Sequence, residues 1–230
     1  MRAMSLGATT EIVDAVEHLP NGATLVVHEI NWDDYERILA ELAHRPTLRI
    51  SYDSGRLEVV SPLMRHGWYE CLISDLVLIF CEAFRLRSER TGTVTWKRQS
   101  ILKGVEPDRS FFIRNLERVI GKEDLDLEKD PPPDVVVEVD ITNSSLGKFS
   151  IYAALRIPEV WRYTRKACKF HTLNAGKYDE ILSSRFLPNL TCEMIFEGVE
   201  IGKIKGQDEA RKAFRRRMKA LKKKAKEEGR

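Results

Sequence analysis

The chain has 230 residues, 43% of them hydrophobic, and a formal net charge of +3. That size buries one core of ordinary dimensions, so a single domain with small appended elements is expected. The longest apolar run, LISDLVLIF (72–80), is far too short to span a bilayer and is interrupted by Asp75, which excludes a membrane span.

Cys71, Cys81, Cys168 and Cys192 form no C-x-x-C pair and share no metal-ligand spacing, and nothing at the N-terminus reads as a signal peptide. A reduced, cytoplasmic protein is expected. Charge is unevenly spread. From Lys203 to Arg230 there are 13 Lys or Arg against 4 Asp or Glu, a local balance of +9 within a total of +3. The body is therefore mildly acidic and the tail strongly basic.

Residues 1–23 read as an N-terminal arm, within which TTEIVDAVEHL forms a short helix or a loose arm. ATLVVHEI (23–30) is a strand. NWDDYERILAELAH (31–44) is a helix with Trp32, Tyr35, Ile38, Leu39 and Leu42 at helical spacing and Asn31 or Asp33 as cap. LRISYDSGRLEVVSP (48–62) is a hairpin turning on D-S-G. HGWYECLISDLVLIFCEAFRL (66–86) carries apolar residues at helical intervals and is the main core helix. Three extended runs follow: TGTVTWKRQSILK, DRSFFIRN and PDVVVEVDIT. The charged, proline-ended LERVIGKEDLDLEKDPPP between the last two is a surface excursion. LGKFSIYAAL is a helix, PEVWRYT a strand, and KFHTLNAGKYDEIL a hairpin turning at Asn174-Ala175-Gly176. The C-terminal DEARKAFRRRMKALKKKAKEEG is helical in composition with few apolar positions to dock. The order of elements predicts an α+β or α/β domain, a mixed central β-sheet flanked by helices.

The strand PDVVVEVDIT poses a physical problem. Alternation puts Asp134, Val136, Glu138 and Asp140 on one face and Val135, Val137, Val139 and Ile141 on the other. Like charges about 4–5 Å apart repel by roughly 1 kcal/mol in water and roughly 4 in a partly buried setting. Such a face is wet, holds a proton, or holds a cation, and Asp134 is expected at its solvent end.

Upstream, in KGVEPDRSFFI, Glu106 precedes Pro107 and Asp108 opens a strand. An acid opening a strand, E-x-D on another about thirty residues later, and then a helix carrying Lys148 resembles the PD-(D/E)XK nuclease core. EPDRSFFIRN, DPPPDVVVEVDITNSSLGK and IYAALRIPEVWRY, together with WDDYERILAEL and RISYDSGRLEVVSP, resemble a bacterial family of restriction-endonuclease-like proteins, the Uma-two family. The resemblance covers roughly residues 24 to 190. It implies a restriction-endonuclease-like core with an added N-terminal strand-helix-hairpin and a basic C-terminal helix, divided as 1–23 arm, 24–200 endonuclease-like domain and 201–230 basic tail.

Carried over residue by residue, the resemblance makes Asp108 and Glu138 the metal-holding acids, with the Val139 backbone carbonyl beside them and Glu70 and Asp140 as further candidates. Asp140 stands where the superfamily has its lysine; it either joins the site or bonds the turn at Thr142, Asn143 or Ser144. Lys148 is the substitute lysine, with Lys97 and Lys103 as other candidates. Pro133-Asp134 is a decoy, because it shares a strand with Glu138. His66 reads as a general base or, more simply, as a packing or capping residue. Trp68, Tyr69, Trp161 and Tyr163 read as core aromatics.

The function implied is Mg²⁺- or Mn²⁺-dependent hydrolysis of DNA phosphodiesters, Mg²⁺ being suited by hard oxygen ligands and retained water. The alternative is a non-catalytic nucleic-acid-binding or partner-binding module on a degenerate nuclease scaffold, favoured by the absence of E-x-K. A homodimer is expected for cutting both strands. The basic tail grips phosphate, remains a solvated helix, or pairs with another subunit through Phe214, Met218 and Leu221.

Overall fold

In the computed structural model, residues 6–228 are described; the first five residues of the expected arm and the last two of the tail lie outside them. Helix α1 (Leu6–Glu17) buries Ile12, Val13 and Val16 in a small N-terminal core, so this stretch is a helix rather than a loose arm. Strand β1 (Thr24–Val27) follows, then helix α2 (Trp32–Glu41). Of the two expected caps Asn31 is used, its side chain accepting the Asp34 N–H at 2.9 Å. Tyr35 of α2 stacks on Tyr52, with ring centroids 4.5 Å apart, which fixes the helix on the hairpin of β2 (Arg49–Asp53) and β3 (Arg56–Val60).

Helix α3 (Met64–Phe84) is the core helix expected from its spacing. The run TGTVTWKRQSILK is not one strand. It breaks into β4 (Glu89–Thr91), β5 (Trp96–Arg98), a 3-10 turn and β6 (Lys103–Val105). β4 belongs to one sheet and β5 and β6 to another, so the chain crosses between sheets after Thr91 and crosses back at Glu106–Asp108 into β7 (Arg109–Phe112). Asp108 therefore sits at the junction of the two sheets.

The N-terminal sheet has the order β1-β3-β2-β6-β5 and is antiparallel throughout. The second sheet continues with β8 (Val135–Asp140), β9 (Glu159–Thr164), β10 (Cys168–Asn174) and β11 (Lys177–Ile181), in the order β11-β10-β9-β8-β7-β4. Only β8 and β9 among these pairs run parallel, and α4 (Phe149–Ala154) lies in the crossover that a parallel pair requires. The sheet is mixed and flanked by helices, as the element order predicts. Val135, Val137 and Val139 pack toward α3, while Val136 joins Tyr152 of α4 on the other face. With both faces covered, β8 is buried along nearly its whole length.

The structure departs from the sequence reading in three further places. Cys192–Lys205 forms a helix, α5, which the sequence reading left unassigned; Thr191 caps it by accepting the Met194 N–H at 3.2 Å. The basic C-terminal helix α6 (Gln207–Glu228) docks after all, burying Ala210, Phe214 and Met218 at helical spacing in the main core with α3 and α5. Phe214 and Met218 are thus spent within the chain rather than offered to another subunit. The excursion at 116–133 is not wholly on the surface, since Leu116, Val119 and Leu127 are buried. α5 reaches α3 closely through Gly198 and Gly202, where an added Cβ would stand 2.6 and 2.5 Å from Leu76 and Leu72. Among the described residues, no helix is long and apolar enough to cross a membrane.

Candidate functional site

The sheet junction creates the site. Asp108 donates its backbone N–H to the Val137 carbonyl at 3.1 Å, which holds it beside β8 before β7 begins. Its carboxylate accepts the Val139 N–H at 2.7 Å and the Arg49 Nε–H at 2.9 Å. Arg49 arrives from β2 and also donates Nη2–H to Glu70 of α3 at 3.0 Å, while Nη1–H donates to the Thr47 and Leu48 carbonyls at 3.1 and 3.0 Å. Burial alone would depress the Arg49 pKa, but Asp108 and Glu70 together raise it.

Glu138 points from β8 toward α4. Lys148, in the 3-10 turn ahead of that helix, places Nζ 3.2 and 3.1 Å from the two Glu138 oxygens, and the Tyr152 hydroxyl donates to Oε1. Glu138 is 3% exposed. Burial pushes its carboxyl up to about 7, the Lys148 ammonium opposes the shift, and the charge of Asp108 adds to it. Burial would lower Lys148, yet Glu138 and Asp108 outweigh it and its pKa rises. Glu70 is raised by burial and then by Asp108, against the pull of Arg49 and Arg109.

His66 directs Nε2 to the Val139 carbonyl at 2.7 Å, and the same nitrogen is 3.3 Å from Asp108 Oδ2. A carbonyl only accepts, so Nε2 carries the hydrogen; Nδ1 is buried with no partner among the described residues. His66, Glu70 and Asp108 each offer one ligand atom, all within 4.8 Å of one another, as a metal site would require. Arg49, His66, Asp108, Glu138, Asp140 and Lys148 all line one cavity of about 30 Å³.

Asp140 accepts the Ser145 N–H at 3.0 Å and pairs with Arg162 of β9, so it closes the turn one residue beyond those expected while still lining the cavity. Asp134 is not at a solvent end. It is 1% exposed and accepts the backbone N–H groups of Ile113, Arg114 and Asn115, anchoring the chain as it leaves β7. Lys97 and Lys103 of the N-terminal sheet pair with Glu36 of α2 and Asp53 of β2, and neither lines the cavity. Glu106 accepts the Ile50 N–H at 2.9 Å and so fixes the chain to β2 where it leaves the N-terminal sheet.

Sequence reasoning passed over Arg49 and Tyr152. Tyr152 lies four residues after Lys148, a spacing that puts both on one helical face and could have revealed it. Arg49 gave no such signal, because only the tertiary fold brings β2 to Asp108 across 59 residues.

The sequence matches the family described as "Putative restriction endonuclease", Uma2, over residues 32–203. The crystal structure of a protein described as a "putative nuclease belonging to DUF820", from Anabaena variabilis ATCC 29413, superposes with a TM-score of 0.45 at 13% identity, covering 64% of this chain and 89% of that one. No curated protein matches the sequence. By the extent of the family match, this chain belongs to the Uma2 family.

Proposed function

We propose that the protein is a divalent-cation-dependent endonuclease that hydrolyses DNA phosphodiesters at the Asp108–Glu138 cavity, with Mg²⁺ or Mn²⁺ as cofactor. The observation that carries this reading is the convergence of Asp108 and Glu138, from the chain ahead of β7 and from neighbouring β8, with Lys148 on Glu138 and all three facing one cavity. The donor set lining the cavity suits a hard cation: the carboxylates of Asp108 and Glu138 and the Val139 carbonyl, with Glu70 within 4.8 Å of Asp108 at its edge. The unpartnered Nδ1 of His66 and the grouping of His66, Glu70 and Asp108 support the fit. Bound there, a divalent cation would neutralise the phosphate and acidify a water.

The remaining steps belong to the chain. Arg49 fixes Asp108 and Glu70 from one side, and Tyr152 fixes Glu138 from the other. The Lys148 ammonium, kept protonated by Glu138 and Asp108, is a donor that orients a nucleophile and shares charge developing on the phosphate. His66 holds the Val139 carbonyl in place through Nε2.

Calorimetric titration with Mn²⁺ and Mg²⁺, wild type against Glu138→Ala, followed by plasmid nicking at saturating metal, tests the reading. Binding and nicking by wild type, both lost in the variant, are expected. Nicking retained in both Asp108→Ala and Glu138→Ala would sink it. A second reading, a non-catalytic nucleic-acid-binding module, draws support from the internal pairing of the acids: Arg49, Lys148 and Arg162 already neutralise Asp108, Glu138 and Asp140. It predicts metal-insensitive DNA binding with no cleavage under any cation.

A further inference from the structure

Arg109 follows Asp108 directly, but its guanidinium turns to α3, where Nη2–H donates to Glu70 Oε1 at 3.1 Å and lies 3.7 Å from Cys71 Sγ. There a second cavity, of about 340 Å³, opens between α3, β4 and β7. Its polar walls are Ser74 and Asp75 of α3, Arg90 and Thr91 of β4, and Arg109. Thr91 pairs with Ser110, so β4 ends at the same end of the sheet at which β7 begins and Asp108 stands.

The hydrogen-bond inventory of this cavity is incomplete. Arg90 Nη1–H donates to Ser74 Oγ at 3.1 Å and is 4.0 Å from Asp75, while its Nε and Nη2 have no protein partner among the described residues and, on a side chain 49% exposed, face solvent. Arg109 likewise leaves Nε and Nη1 without one. Thr91 Oγ1 is buried and has no partner among the described residues. The two carboxylates nearby are already taken. Asp75 accepts from Arg211 of α6 at 2.9 Å, and Glu70 is held by both Arg49 and Arg109. Two guanidiniums with spare donors, around a space this size, match the acceptors of a tetrahedral oxyanion, and the Thr91 hydroxyl, closed off in the wall behind them, is a third donor that a ligand there would draw out.

We propose that this cavity seats a phosphate group, supplied by the backbone of a nucleic-acid substrate lying across the Asp108 end of the sheet. The source of the phosphate rests on the nuclease reading; the recognition chemistry does not. A phosphate there is linked to the acidic cavity by the chain Arg109–Glu70–Arg49–Asp108, in which each neighbour is hydrogen-bonded to the next. Seating one phosphate would thus report to Asp108 while registering an adjoining phosphodiester for cleavage.

Fluorescence anisotropy with a short labelled duplex lacking terminal phosphates, in EDTA so that nothing is cut, tests this on the full chain. Arg90→Gln is expected to weaken binding about three- to tenfold and to make the log–log salt slope shallower by about 1. Thr91→Val is expected to weaken binding while keeping the melting temperature at or above wild type, since it removes a buried hydroxyl that the fold itself leaves unpaired. Wild-type affinity and slope in both variants would overturn the proposal. Should wild type bind no DNA in EDTA or with Ca²⁺ in its place, the nuclease reading falls on its own and inorganic phosphate decides the cavity. A phosphate-induced rise in melting temperature that Arg90→Gln abolishes would keep the site as one for free phosphate, and no rise would overturn it.

Discussion

Lys148 Nζ stands 3.2 and 3.1 Å from the two oxygens of Glu138, and both side chains are buried. Neither charge is tolerable there alone. Removing the ammonium as Lys148→Met strands an ionised carboxylate, and breaking a buried pair from one side costs about 3–5 kcal/mol. The expected loss is full at alkaline pH and smaller in acid, where Glu138 takes up a proton. Lys148→Met/Glu138→Gln should recover most of it. Urea unfolding of the three proteins at two pH values measures this, and a Lys148→Met loss independent of pH would break the assignment of the pair.

Glu138 is raised to about 7 by burial first, opposed by Lys148 and supplemented by Asp108. An unfolded glutamate titrates near about 4.3. Between those values the folded chain keeps a proton that the unfolded chain has released. The group therefore favours folding most at low pH, and that contribution is lost as pH rises through 7. A divalent cation needs the ionised form. Mn²⁺ affinity by calorimetry should rise up to about tenfold per pH unit within this interval and level off above it, more steeply than in Glu138→Gln. Equal profiles in the two proteins would show that cation and proton do not compete at Glu138.

Arg49 joins Asp108 and Glu70 with one guanidinium, and among the described residues it approaches Asp108 more closely, at 2.9 Å, than His66 Nε2 does at 3.3 Å. Arg49→Met leaves two buried carboxylates facing one another, at a cost of about 3–5 kcal/mol. Arg49→Lys should recover little, because a single ammonium cannot reproduce the two-armed fork that spans both acids. Chemical denaturation decides it; near-complete rescue by lysine would mean that charge alone, and not the fork, is what the site uses.

The difference between Glu138 and Arg49 shows what the sequence made legible. Glu138 stood out because a short-range rule, alternation along a strand, put it among other carboxylates on a face that should be apolar. Lys148 was implied only by the family resemblance, while the hairpins at Ser54-Gly55 and Ala175-Gly176 were written in local turn chemistry. Arg49 serves Asp108 from a strand in the other sheet, and nothing within reach of Arg49 along the chain marks that contact. Asp134 misled for the same reason: its partners, the N–H groups of residues 113–115, lie about twenty positions upstream. The split of TGTVTWKRQSILK between two sheets was hidden because extended residues look alike whichever sheet they join.

Helix α6 shows how composition can mask packing. Its charge made it read as solvated, yet Ala210, Phe214 and Met218 are 0, 3 and 0% exposed. Three residues at four-residue spacing are enough for a narrow apolar stripe, with Lys212, Arg215, Arg216 and Lys219 exposed around it. Arg211 to Asp75 at 2.9 Å and Lys222 to the Ala83 carbonyl at 2.8 Å pin the helix along α3 at both ends. Phe214→Ala is expected to cost about 3–5 kcal/mol, the range for emptying a buried aromatic position. Arg216→Ala, on the exposed face, should stay within about 0.5 kcal/mol of wild type. Urea denaturation of the two variants separates the cases: a loss below about 1 kcal/mol for Phe214→Ala would mean that α6 is a solvated appendage rather than part of the core.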